Sequence, residues 1–173
     1  LPFNRQINII SDLFCLFKLI HIFIYLNPHM IISITPKAGF ISSLAAFLLN
    51  VKIRIHIFTG QVWANKKNFF LRSFLLNLDK VIASLSTNLI IDGNSQKKFL
   101  IKNRVIKNIK KTKVILNGSI CGVDTTLFKK NNTKKKIIRK KLNIDKNSVV
   151  LIYVWRINKE KGILKLIKVF SNL

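Results

Sequence analysis

Val149-Val150-Leu151-Ile152-Tyr153-Val154-Trp155-Arg156-Ile157-Asn158-Lys159-Glu160-Lys161-Gly162 joins an apolar, β-branched run to a short polar loop. Such a run reads as a buried strand of a parallel sheet. Downstream of Gly162, the residues Ile163, Leu164, Ile167, Val169 and Phe170 recur at helical spacing. Strand, loop and helix in that order place Arg156 and Lys161 at the carboxyl end of a strand, where open α/β sheets bind ligands. Two cations beside backbone N–H groups there make a seat for an anion such as a diphosphate. The competing reading is that both are solvated surface charges.

Upstream the same alternation repeats. From Asn8 the pattern is helical, with Ser11 and Asp12 as polar groups of a first turn and Leu13, Leu16, Phe17, Ile20 and Ile24 behind them. Leu13 to Leu26 is apolar on nearly every face but short of the ~20 residues a span needs, so a buried or membrane-surface helix is expected. His21 reads as a packed or snorkelling residue, and Asn27-Pro28 ends the helix. Met30–Ile34 reads as a strand, Thr35–Gly39 as a turn and Phe40–Leu49 as a helix with Ala45 and Ala46 against the sheet. Val51–Phe58 alternates basic and apolar residues, which suggests a strand nearer the sheet edge, closed by Thr59-Gly60-Gln61. A long helix from about Phe69 to Leu85 leads to a strand at Leu89–Ile91. Asp92–Ser95 then turns, with Ser95 as N-cap of a helix over Gln96–Ile101, before a strand at Lys113–Leu116 and a glycine-bearing loop at Asn117–Asp124.

Residues 129–147 turn polar and basic around a short amphipathic helix at Ile137, Ile138 and Leu142, the best candidate for a linker. The expected division is therefore 1–128, linker 129–147 and a second unit from 148 to 173. Strands alternating with helices argue for an α/β fold with parallel sheets and right-handed crossovers.

The 173 residues suffice for one domain or one and a fraction, and 49% hydrophobic content excludes a disordered chain. The chain opens on Leu1 rather than Met and closes on Leu173 within an expected helix, so it reads as a fragment. No charged flank with a small-residue cleavage site marks a signal peptide. The 31 Lys+Arg against 6 Asp+Glu give a net charge of +25, which favours anionic partners. An AT-rich coding sequence would write the same surplus of Lys, Asn, Ile and Phe. The run Lys134-Lys135-Lys136 to Arg139-Lys140-Lys141 carries no interleaved aromatic, so nucleic acid is not an expected partner. Cys15 and Cys121 lie far apart without a CxxC spacing or a histidine cluster, and no metal site is suggested.

The order of motifs resembles a known family. Thr35-Pro36-Lys37-Ala38-Gly39 and His56-Ile57-Phe58-Thr59-Gly60-Gln61-Val62-Trp63 come first, then Asp92-Gly93-Asn94-Ser95-Gln96. Asn117-Gly118-Ser119-Ile120-Cys121-Gly122-Val123-Asp124 with Phe128, and Arg156 through Lys161-Gly162, complete the set. Together they resemble the middle of a retaining, family-four glycosyltransferase of the bacterial surface-polysaccharide kind, with the two-Rossmann GT-B fold.

The resemblance implies the C-terminal part of an acceptor-side Rossmann-like domain, followed by the first strand and helix of a nucleotide-sugar donor domain. It implies that Arg156 and Lys161 hold the donor diphosphate, whose charge grows as it departs and is stabilised by fixed cations. Lys37 and Gly39 would stand at a helix start facing the cleft, and Gly60 and Gln61 would line the acceptor side. Asn117, Gly118, Gly122 and Asp124 would form the loop at the domain junction. The implied partners are a nucleotide sugar, a polyprenyl-diphosphate-linked or saccharide acceptor and an anionic membrane surface. The implied place is the cytoplasmic face of the cell membrane; no cofactor is called for, and no catalytic residue is assigned.

Trp155 stands where relatives carry glycine before the arginine, and an indole there would crowd the donor loop. Thr59 stands where many relatives carry histidine. Strand alternation is taken to turn His56 to the face opposite Phe58, so His56 is not expected to act as a base. The glycine-rich first loop and the glutamate-bearing helix of the family are missing from these residues. A non-catalytic remnant that binds a membrane surface or an anion is the alternative function.

Overall fold

The computed structural model describes residues 8–157 and 161–172. Asn158, Lys159 and Glu160 of the expected polar loop lie outside the described residues, as do residues 1–7 and Leu173. Tertiary contacts divide the chain into two compact units, Leu1–Val123 and Asp124–Leu173.

The first unit is an α/β layer with a Rossmann-like parallel sheet. Its strands are β1 (Met30–Ile34), β2 (Ile53–Phe58), β3 (Asn88–Ile91) and β4 (Thr112–Val114), hydrogen-bonded in the order β1-β2-β3-β4. Each pair is parallel, with Ile34 opposite Ile57, Phe58 opposite Ile91 and Ile91 opposite Val114. The helices are α1 (Ile9–Leu26), α2 (Pro36–Leu48), α3 (Phe69–Leu85) and α4 (Asn94–Lys102). The main core gathers Phe58, Trp63, Ala83, Leu89, Ile91, Leu100, Val105 and Ile106 between the sheet and α3 and α4. A second cluster joins Cys15 and Leu19 of α1 to Ile41 and Ala45 of α2.

α1 starts as expected: Asn8 caps it, its Oδ1 accepting from Ser11 N at 3.1 Å, and Ser11 and Asp12 stand in its first turn. Other elements begin elsewhere than the sequence suggests, each for a local reason. The expected turn at Thr35–Gly39 is the first turn of α2. Pro36 fits there because its fixed φ suits N1 and it has no N–H to leave unsatisfied. Gly93 rather than Ser95 is the N-cap of α4. Gln96, at N3, reaches back and accepts from Asp92 N at 3.1 Å, an N–H that also donates to Phe58 O at 3.2 Å.

β2 is interior, not near an edge, since β1 and β3 flank it. Its basic residues are absorbed inside the unit. Arg54 donates from Nε to Leu85 O at 2.7 Å and from Nη1 to Val51 O at 2.6 Å, with its guanidinium over the Phe47 ring. Lys111 donates to Ala83 O and to Ser86 O, so two cations satisfy carbonyls at the C-terminal end of α3.

α1 is long and apolar enough to cross a membrane by length and composition. It is not the buried helix that the sequence allows: only Cys15 and Leu19 on it are buried. Its other faces are open, and His21 is exposed. β1 buries Ile31 and Ser33 on the helix side, whereas Met30, Ile32, Ile34 and Ile53 stay 43–56% exposed. A parallel sheet normally carries cover on both faces. Here the second face is open at β1 and Ile53, whereas Ile57 on the same face is buried.

The second unit contains α5 (Asn132–Lys141) and α6 (Ile163–Phe170). α6 ends at Phe170 with Ser171 as C-cap, short of the chain end where a continuing helix is expected. Arg139 gathers the turn after α5, donating from Nη2 to Asp145 O and Ser148 O, both at 2.6 Å. The opening run departs from expectation. Val149–Val154 forms no strand, and Val149, Ile152 and Val154 are 78–89% exposed. Strand propensity needs a neighbour to complete its hydrogen bonds, and among the described residues this unit offers none.

Candidate functional site

The parallel sheet of the first unit sends four loops out from its carboxyl edge, the edge at which open α/β sheets hold ligands. β1 runs into Thr35-Pro36-Lys37 and β2 into Thr59-Gly60-Gln61. β3 runs into Asp92-Gly93, and β4 into Ile115–Ser119. Thr35, Pro36, His56, Ile57, Phe58, Thr59 and Gly60 line a small pocket at the first two.

His56 lines that pocket, and the expectation about its direction is wrong. Residues i and i+2 of a strand share a face, and the His56 and Phe58 rings meet edge to face with centroids 4.6 Å apart. The imidazole is 2% exposed, and Ser33 Oγ on the neighbouring strand lies 2.8 Å from its Nδ1. It rests on Gly39 of α2: a Cβ there would stand 2.4 Å from His56 Cε1. Gly39 is therefore a glycine because an imidazole occupies its side-chain space. Burial pulls the His56 pKa down to about 4, so the ring is neutral at pH 7. Thr35, which joins β1 to α2, adopts φ 75 and ψ 145, a strained region for a β-branched residue. Lys37 forms an ion pair with Asp12 of α1 at 2.6 Å.

A second cluster ties the remaining loops together. Gln96 Nε2 donates to Gln61 Oε1 at 3.3 Å, while Gln61 Nε2 is buried and finds no partner among the described residues. Asp92 is the hub. Its carbonyl accepts from Ser119 N at 2.7 Å and its Oδ1 from Ile120 N at 3.1 Å. Gly118 has φ +103, and a Cβ on it would stand 2.6 Å from Asp92 O. Loops 59–61, 92–96 and 117–120 are thus one hydrogen-bonded assembly. A Cβ on Gly60 would meet nothing within 4 Å among the described residues, so the backbone beside Gln61 is open to a ligand.

Lys37, Gly39, Gly60, Gln61 and Gly118 accordingly share this edge of the first unit. Asn117 is exposed beside Gly118, and Gly122 sits in open space at φ +61. Asp124 belongs to the second unit, and its carboxylate serves its own turn. Oδ1 accepts from Thr126 Oγ1 at 2.6 Å, Thr126 N at 2.9 Å and Leu127 N at 3.1 Å, and these bonds hold its pKa down. Arg156 and Lys161 also lie in the second unit. Arg156 is exposed. Lys161 Nζ stands 4.4 Å from the centroid of the Trp155 ring, and Tyr153 Oη donates to Lys161 O at 3.0 Å. The Trp155 indole gives the lysine a cation–π partner.

Beside the sheet edge opens an apolar cleft of about 930 Å³, walled by Leu13 and Leu16 of α1, Phe40 and Leu44 of α2, and Phe74 and Leu75 of α3. Trp63 and Asp79 close it at one side, with Trp63 Nε1 donating to Asp79 Oδ2 at 2.7 Å. Burial raises the Asp79 pKa to about 6, and the bond from Trp63 opposes that rise. Sequence inspection missed Asp79; a lone acid among Leu75, Leu78 and Ile82 on an apolar helix face was the available signal.

No family model matches the chain. The chain is 36% identical over 172 residues to a protein of Staphylococcus aureus named capsular polysaccharide biosynthesis glycosyltransferase CapM, a match covering 99% of this chain and 44% of that relative. The chain thus spans less than half the length of the relative it matches.

Proposed function

We propose that the chain is part of a glycosyltransferase that moves a sugar from a nucleotide sugar to a lipid-linked or saccharide acceptor in cell-surface polysaccharide synthesis. The observation that carries this reading is the 36% identity to CapM over 172 residues, 99% of the chain. In this reading the protein is a retaining enzyme of family-four, GT-B type, with the first unit on the acceptor side. Lys37, Gly39, Gly60 and Gln61 border the acceptor, and Asn117, Gly118, Gly122 and Asp124 form the passage to the donor domain. Arg156 and Lys161 take the donor diphosphate; a guanidinium and an ammonium aimed at the leaving group lower the barrier as charge accumulates there. Work at the cytoplasmic membrane face fits the basic surface and the open apolar faces of α1.

The test is nucleoside-diphosphate-sugar binding by the chain, by the longer protein that carries it, and by Arg156→Ala and Lys161→Ala variants. The reading expects each substitution to weaken donor binding in the longer protein by tenfold or more, about 1.4 kcal/mol. Variants that bind like the parent contradict the diphosphate role. The unpaired run Val149–Val154 favours a second reading for the isolated chain, a surface- or anion-binding module without transfer. Sugar transfer by the 173-residue chain alone would overturn that one.

A further inference from the structure

The cleft between α1, α2 and α3 has a function to be assigned. Its volume of about 930 Å³ is at the upper end of the ~300–1,000 Å³ range for ligand clefts. The wall is apolar, and most of its few polar groups are already engaged, Asp12 with Lys37 and Asp79 with Trp63. A sugar or a base would find little here to hydrogen-bond. An apolar chain would find a continuous lining.

The mouth narrows the choice further. The stripe of α1 next to its cleft face exposes Ile10, Phe14 and Phe17, and the start of α3 exposes Phe69, Phe70 and Phe74. Two apolar helix faces therefore flank the opening, and the exposed Lys66 and Lys67 lie on the chain that leads into α3. That combination fits a ligand with an apolar chain and an anionic head, drawn from a bilayer against which both helices rest. The start of α2, with Thr35, Pro36 and Lys37, lines the cleft and also borders the His56 pocket, so a chain in the cleft would end beside the sheet edge.

We propose that this cleft takes the isoprenoid chain of a polyprenyl-phosphate-linked acceptor and so delivers the acceptor's head to the loops at the sheet edge. The assignment rests on the lipid-linked acceptor reading above and gives it a place. It predicts that filling the cleft blocks the lipid without touching the donor.

The experiment uses a benzophenone-bearing farnesyl phosphate in phosphatidylglycerol vesicles, photocrosslinked to the protein and mapped by mass spectrometry. Leu16→Phe and Leu75→Phe narrow the cleft, with denaturation midpoints checked so that folded variants are compared; Phe17→Ser trims the exposed stripe and leaves the cleft open. The proposal expects adducts on cleft residues, reduced at least tenfold in the filled variants and retained in Phe17→Ser. Adducts confined to the exposed faces of α1 and α3, insensitive to filling, would overturn it as mere surface adsorption. So would a dimer that protects Leu16 and Leu75, because a second copy would then be the occupant. Transfer to a polyprenyl-linked acceptor that survives filling would overturn the cleft assignment while leaving the lipid-acceptor reading standing. Transfer only to soluble saccharides would sink that reading and the assignment with it.

Discussion

His56 and Asp79 are two buried titratable groups in one small unit, and their burial moves them in opposite directions on the pH scale. His56 has a folded pKa of about 4, below its ordinary value of 6.5. The unfolded chain therefore binds the extra proton first, and stability is lost as pH falls from 6.5 towards 4, by roughly 3 kcal/mol. Asp79 is raised from 3.8 to about 6, so the folded state takes up its proton first. Stability is gained as pH falls from 6 towards 3.8, again by roughly 3 kcal/mol. Between pH 6 and 4 the two offset. Asp79→Asn keeps an acceptor for Trp63 and removes one side of the balance. Its stability relative to the parent should fall by roughly 2–3 kcal/mol from pH 6.5 to pH 4 in urea titrations; parallel pH profiles would show that the carboxylate is not buried as described.

Gly39 and His56 make a second prediction at this scale. Gly39→Ala should destabilise the parent by about 1–3 kcal/mol, because the new methyl overlaps the ring. In a His56→Ala background the same change should cost much less, since the space is vacated. A double-mutant cycle measures the difference, and additive values would refute the contact. The sequence shows Gly39 and His56 only as members of separate motifs. Their contact spans a strand and a helix, and no local pattern announces it. The shared face of His56 and Phe58 is different: their i, i+2 relation is legible in the sequence, and simple alternation suffices to find it.

At the scale of elements, periodicity carried most of the fold. β1 and α3 stand where the sequence puts them, the first as a short apolar run and the second as apolar positions at helical spacing. Boundaries shifted where a side chain outside the repeat decided them, as with Pro36 at α2 and Gln96 at α4. β2 misled through Arg54 and His56, whose polarity is satisfied by partners distant in sequence. Val149–Val154 misled for the opposite reason: its propensity is high and its partners are not among the described residues. The three-loop assembly around Asp92 was invisible in the sequence beyond its glycines. Gly118→Ala should strain it twice, through φ +103 and through contact with Asp92 O. A loss of about 1–3 kcal/mol in thermal or urea unfolding, with faster amide exchange at Ser119 and Ile120, is expected. Unchanged exchange at those two amides would show that Asp92 does not hold the loop.

For the whole molecule, the first unit presents a polar sheet edge, an apolar cleft beside it and open apolar helix faces. The second unit carries the cations that the diphosphate reading needs, Arg156 and Lys161, both after the Val149–Val154 run, which has no sheet partner among the described residues. The proposed function assigns an amphipathic acceptor to the first unit and a nucleotide sugar to the second. The decisive measurement is transfer of sugar from a nucleotide sugar to a polyprenyl-diphosphate-linked acceptor by the longer protein carrying this chain, with acceptor and donor KM determined separately. Transfer by the parent is expected, with a rise of about tenfold in acceptor KM alone for Gln61→Ala and a similar rise in donor KM alone for Arg156→Ala. No transfer to any saccharide or lipid-linked acceptor, or equal effects of both substitutions on both constants, would contradict the division of labour between the two units.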